Sequence, residues 1–154
     1  MSDAHHVTIR PAIADDLPAM AALLGVLFSQ EHEFVPDPDK QIAGLRAILD
    51  DPRAGQLLVA ELDRQVVGLV NLLWIVSTAI GGRAAILEDF VVAPDQRGHG
   101  IGSRLLDEAA RVATDAGCGR IALMTDHDNA SAQRLYERHG FARSTMLAMS
   151  RPLP

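Results

Sequence analysis

Glu88 and Asp89 are adjacent carboxylates inside an otherwise apolar run, Ile86 to Val92. Acidic side chains in such surroundings are rare unless they serve a partner or a proton. A carboxylate placed this way suits general base chemistry, taking a proton from an acceptor directly or through a water. Successive strand residues point to opposite faces, so only one of the two faces an acceptor unless a bulge intervenes. Just beyond this run lies Gln96-Arg97-Gly98-His99-Gly100-Ile101-Gly102-Ser103, followed by an amphipathic stretch from Ile101 to Ala113. A strand, a glycine-rich turn and a helix start in that order make an anion site. Gly98, Gly100 and Gly102 carry no Cβ, so the turn can present successive backbone N–H groups to a ligand pressed close. The new helix adds unpaired N–H groups and the positive end of its dipole, and Arg97 adds a full charge. A ligand carrying phosphates is expected here.

Two common phosphate motifs do not fit. A P-loop requires Gly-Lys-Ser/Thr, and the turn has no lysine. A Rossmann fingerprint requires Gly-x-Gly-x-x-Gly; counted from Gly98 the last position is Ser103, and from Gly100 it is Leu105.

The elements that must position these residues follow from hydrophobic periodicity. Val7 to Arg10 alternates as a first strand. Asp15 and Asp16 are placed to cap a helix through Leu17, Met20, Leu23, Leu24 and Leu27, with Pro18 tolerated in its first turn. Ser29 to Asp39 is a loop and Lys40 to Leu49 a second helix. Leu57 to Leu62 and Val66 to Val76 form a hairpin across Asp63-Arg64-Gln65, and Gly81-Gly82 turns into a strand at Ala84 to Val92. Ile101 to Ala116 is a helix with Gly117 past its end. Ile121 to Thr125 is a short strand, Ala130 to Arg138 a helix, and Met146 to Met149 a final strand. The expected order is β-α-α-β-β-β-α-β-α-β: a single α+β domain over 1–154 with one mixed, partly antiparallel sheet.

Three blocks carry a resemblance: Leu87 to Pro94, the Arg97-x-x-Gly100-x-Gly102 turn, and Asn129 to Phe141. Together they resemble the GNAT acetyltransferase superfamily, and the element order extends the likeness over nearly the whole chain. Leu87-Glu88-Asp89-Phe90 with the following turn is similar to the polyamine (spermidine/spermine) acetyltransferase branch. The resemblance implies acetyl-coenzyme A as co-substrate and no metal. It makes Arg97, Gly98, His99, Gly100, Ile101, Gly102 and Ser103 the diphosphate turn, and Phe90, Val91 and Val92 a strand edge whose backbone pairs with the pantetheine amides. Asn129 and Tyr136 lie two helical turns apart and share a face. By resemblance Asn129 bonds the pantetheine, and Tyr136, the only tyrosine, protonates the departing thiolate. The plain alternatives are a helix N-cap for Asn129 and a packed aromatic for Tyr136. Glu88 matches the branch's proposed base; its alternative is a structural pair with Arg83 or another cation.

Composition narrows the remaining choices. The chain has 154 residues, 48% hydrophobic and 22% charged, with a net charge of −6. An acidic balance argues against nucleic acid and suits a cationic acceptor, as do Glu31, Glu33 and Asp37 in the first inter-helix loop. No apolar run is long enough for a membrane span, no export signal opens the chain, and the lone Cys118 suits a reducing cytoplasm. The expected activity is transfer of acetyl to a primary amine of a small, cationic molecule by direct attack. The alternatives are a protein N-terminal or lysine acetyltransferase and a non-catalytic acyl-coenzyme A-binding regulatory module. Family habit favours a homodimer.

Overall fold

A computed structural model describes residues 6–154, which divide into two compact units, one ending at Leu123 and one beginning at Met124. The first unit contains β1 (Thr8–Pro11), α1 (Leu17–Gln30), α2 (Pro38–Leu49), β2 (Gly55–Leu62), β3 (Gln65–Ser77), β4 (Gly82–Val92), α3 (Ile101–Asp115) and β5 (Ile121–Leu123). The strands form one sheet in the order β1-β2-β3-β4-β5. Pairing is antiparallel from β1 to β4, and β5 lies parallel to β4. This is the expected α+β architecture. The β2–β3 hairpin closes through Asp63 and Arg64, both at positive φ (50° and 64°), which matches the right-handed twist of the strands it joins.

Helices cover both faces of the sheet, so the central strands are buried in continuous runs, Leu57 to Ala60 and Val67 to Leu72. Leu57, Val59, Leu69 and Val91 pack under Leu17, Met20 and Leu24 of α1 and Leu45 of α2. On the other face α3 presents Leu105, which comes so close to Gly68 that a Cβ there would sit 3.0 Å from Leu105 Cδ1. Buried Gln41 braces the helical layer: its Nε2 donates to Ala21 O (2.7 Å) and its Oε1 accepts from Asp37 N (2.7 Å).

Two expectations are corrected. Asp16 does not cap α1 with its side chain. Its carboxylate instead accepts from Arg10 (2.8 and 3.0 Å) and from Ile13 N (2.8 Å), while Arg10 also reaches Glu61. The Arg10 hydrogen bonds hold the Asp16 carboxyl below the usual carboxylate range. The final strand at Met146 to Met149 does not form. The second unit contains α4 (Ala130–Arg138) and no strand among its residues. Met146, Leu147 and Met149 are all exposed, so this short apolar run buries no face and joins no ladder.

Candidate active site

The decisive local feature of β4 is a bulge at Glu88. Asn71 of β3 lies opposite Asp89, but the next residue, Leu72, lies opposite Leu87, leaving Glu88 between registers. A bulge breaks strict alternation and re-aims the side chains beside it. Glu88 and Asp89 consequently line the same cavity, of about 510 Å³, beneath α1 and α2. Its walls include Leu24, Phe28, Phe34, Leu45 and Ile48, and its other polar groups are Glu33, Asp37, Lys40, Gln41 and Asn71. Glu31 is not among the lining residues.

The two carboxylates differ in environment. Glu88 is exposed and makes no ion pair among the described residues; Arg83 donates instead to Ala116 O (3.2 Å) and stands over the Trp74 ring. Asp89 is half-buried and accepts a 2.8 Å hydrogen bond from Asn71 Nδ2. Burial pushes the Asp89 carboxyl up to about 6; the Asn71 bond opposes that rise and the Glu88 charge adds to it. Asn71 itself is 1% exposed, and its Oδ1 is a buried polar atom with no hydrogen-bond partner among the described residues.

Pairing between β4 and β5 runs only from Ala85 to Leu87, so β4 continues through Phe90, Val91 and Val92 past the end of its neighbour. The chain then passes a 3-10 turn at Pro94–Gln96 into the glycine turn. Gly98 and Gly100 have φ of +81° and +80°, and no atom lies within 4 Å of where a Cβ would sit on either. That conformation favours glycine and leaves an open concavity of backbone. Gly100 sits at the start of α3 without a side-chain cap, and Ile101, Gly102 and Ser103 begin the helix. Arg97 is anchored by Nε to Val92 O (3.1 Å), which leaves both Nη nitrogens for an anion; His99 Nδ1 meets Gln96 O at 3.2 Å. The donor set fits a diphosphate.

In the second unit, Asn129 accepts from Ala132 N (3.2 Å) and caps α4, which leaves its Nδ2 as a donor. Tyr136 is buried on the same helix, edge-on to Phe141 with ring centroids 5.8 Å apart.

Comparison with family models places the bulged strand, its carboxylate pair and the glycine turn within one family. The acetyltransferase (GNAT) family matches residues 18–141. The chain belongs to this family. Among individual members, it is 33% identical over 142 residues to the uncharacterized N-acetyltransferase YhfO of Bacillus subtilis (strain 168), covering 90% of this chain and 92% of that one. It is 29% identical over 136 residues to the aminoalkylphosphonate N-acetyltransferase of Salmonella typhimurium (strain LT2), covering 88% and 85%. The fold matches the aminoglycoside N-acetyltransferase AAC(6')-Iy, solved in complex with CoA, at a TM-score of 0.84 and 21% identity, over 99% and 98% of the two chains. As a GNAT member the chain is an acetyltransferase.

Sequence reasoning missed Asn71, which reads only as a polar break in an apolar strand. Its period-two relation to Leu69 places it on the buried face, and an amide there is a signal for a polar site.

Proposed function

We propose that this acetyltransferase moves acetyl from acetyl-coenzyme A to the primary amine of a small, cationic molecule by direct attack of nitrogen on the thioester. The observation that carries the reading is the polar lining of the cavity. Four carboxylates, Glu33, Asp37, Glu88 and Asp89, face a single cation, Lys40, and Asn71 adds an unused acceptor. Such a lining favours a ligand that donates hydrogen bonds and bears positive charge. The name of the Salmonella relative, an N-acetyltransferase for an aminoalkyl compound, supports an amine acceptor.

An alkylamine with a pKa of about 10.4 is almost wholly protonated at pH 7, so nitrogen must lose a proton before it attacks. Glu88, exposed at the bulge, is the proposed base and hands that proton to solvent. Backbone donors of β4 are suited to the developing oxyanion. Tyr136 is the proposed acid for the departing sulfur. Across the reaction the ammonium nitrogen gives up two protons, one ending on the thiol and one in solvent. The diphosphate is assigned to Arg97, Gly98, His99, Gly100, Ile101, Gly102 and Ser103. The pantetheine arm is assigned to the backbone of Phe90, Val91 and Val92 and to the Asn129 amide.

The test is thiol release over a panel of amines, with Glu88→Gln and Tyr136→Phe beside the parent protein. Each variant should lose roughly a hundredfold or more in kcat while calorimetry finds acetyl-coenzyme A affinity nearly kept. Unchanged turnover removes both residues from these roles. Binding of acetyl-coenzyme A without thiol release for any amine establishes the regulatory module instead.

A further inference from the structure

We propose that Asn71 and Asp89 act as a pair that grips the acceptor nitrogen by two of its hydrogens and thereby selects primary over N-alkylated amines. The inference rests on the amine reading above and deepens it. A carboxylate only accepts hydrogen bonds, so the 2.8 Å contact with Asp89 Oδ2 fixes which end of the Asn71 amide faces it: Nδ2. The Asn71 Oδ1 is thereby turned away from Asp89 on a residue that lines the cavity. It is buried and unpartnered among the described residues. Buried acceptors are nearly always satisfied, and one left unsatisfied beside a binding cavity calls for a donor on a ligand that enters there.

The stereochemistry of nitrogen supplies the specificity. A neutral primary amine has two N–H bonds and one lone pair. With one hydrogen on Asn71 Oδ1 and the other on Asp89, the lone pair is the only direction left for attack. A secondary amine has a single N–H; it leaves one acceptor unpaired and sets an alkyl group against it. Sites built to hydrogen-bond a substrate group reject analogues lacking it far more strongly than apolar pockets reject extra bulk. The bulge at Glu88 is what permits this division of labour, since it lets Glu88 stand beside the pair without replacing it.

The experiment compares kcat/KM for a turned-over primary amine and its N-methyl derivative between pH 5 and 9. It uses the parent protein, Asn71→Leu, Asn71→Ser and Asp89→Asn, with melting temperature and acetyl-coenzyme A affinity recorded for each. The parent should prefer the primary amine by roughly a hundredfold or more. Asn71→Leu should lose most of that preference while keeping the side chain's bulk, so added space does not explain the loss. Both Asn71 variants should raise the amine KM about tenfold and move the acid limb of the profile to higher pH, because Asp89 loses the hydrogen bond that opposes its protonation. Acetyl-coenzyme A affinity should hold. A parent ratio near one overturns the inference whatever the variants do, and so does an unchanged ratio and limb in any folded Asn71 variant. Absence of thiol release with every amine instead overturns the amine reading itself.

Discussion

Asp89 holds its carboxyl on the buried face of β4, where burial raises it to about 6 from the ordinary 3.8. The sign of the consequence follows from linkage. Between pH of about 4 and 6 the folded chain binds this proton more tightly than the unfolded chain, so folding stability falls as pH rises through that window. A shift of that size costs roughly 3 kcal/mol at neutral pH. Replacing Asp89 by Asn removes the ionisable group and keeps its shape. Thermal melts should therefore show Asp89→Asn more stable than the parent at pH 8, with the gap closing toward pH 4, while turnover falls. A variant that melts lower than the parent at pH 8 contradicts this electrostatic account. From the sequence, the charged pair was visible as an anomaly in an apolar run. Which of the two carboxylates is desolvated was not, because that depends on the Glu88 bulge and on Asn71 across the ladder.

Elements were legible where periodicity was sustained. Three apolar runs marked β2, β3 and β4, and the apolar stripe with the glycine turn before it marked α3. Asp16 misled because a carboxylate before a helix reads as a cap, whereas Arg10, six residues earlier on β1, claims it. Met146 to Met149 misled because four apolar residues specify a strand only if a partner edge is present. The packing of α3 on the sheet yields a prediction of its own. A Cβ at Gly68 would meet Leu105 Cδ1 at 3.0 Å and Val91 O at 3.2 Å, and the carbonyl cannot step aside as a side chain can. Gly68→Ala should cost about 1–3 kcal/mol, read as a lower urea midpoint. A midpoint equal to that of the parent shows that the helix seats on β3 with slack that the present contacts do not reveal.

At the scale of the whole chain, the net charge of −6 and the acidic cavity act in the same direction on a cationic acceptor. Their attraction is screened over about 8–10 Å at physiological salt, so kcat/KM for a cationic amine should fall as ionic strength rises, while that for a neutral-bodied monoamine falls less. A profile flat with salt for both would show that the surface field does not help bring substrate in. Family membership was readable from three motif blocks, which in the proposed assignment all serve one cofactor whose geometry fixes residue types. The acceptor was less readable because the cavity proposed for it draws on α1, α2, β3 and β4 together, segments that share no local pattern. The most direct test of the account is to incubate the purified chain with acetyl-coenzyme A and a primary amine, and to measure released thiol and N-acetylated product in the same sample. The account predicts both, in equal amounts and dependent on the amine. Thiol release that is independent of amine, or tight acetyl-coenzyme A binding with no acetylated amine from any candidate, would contradict it.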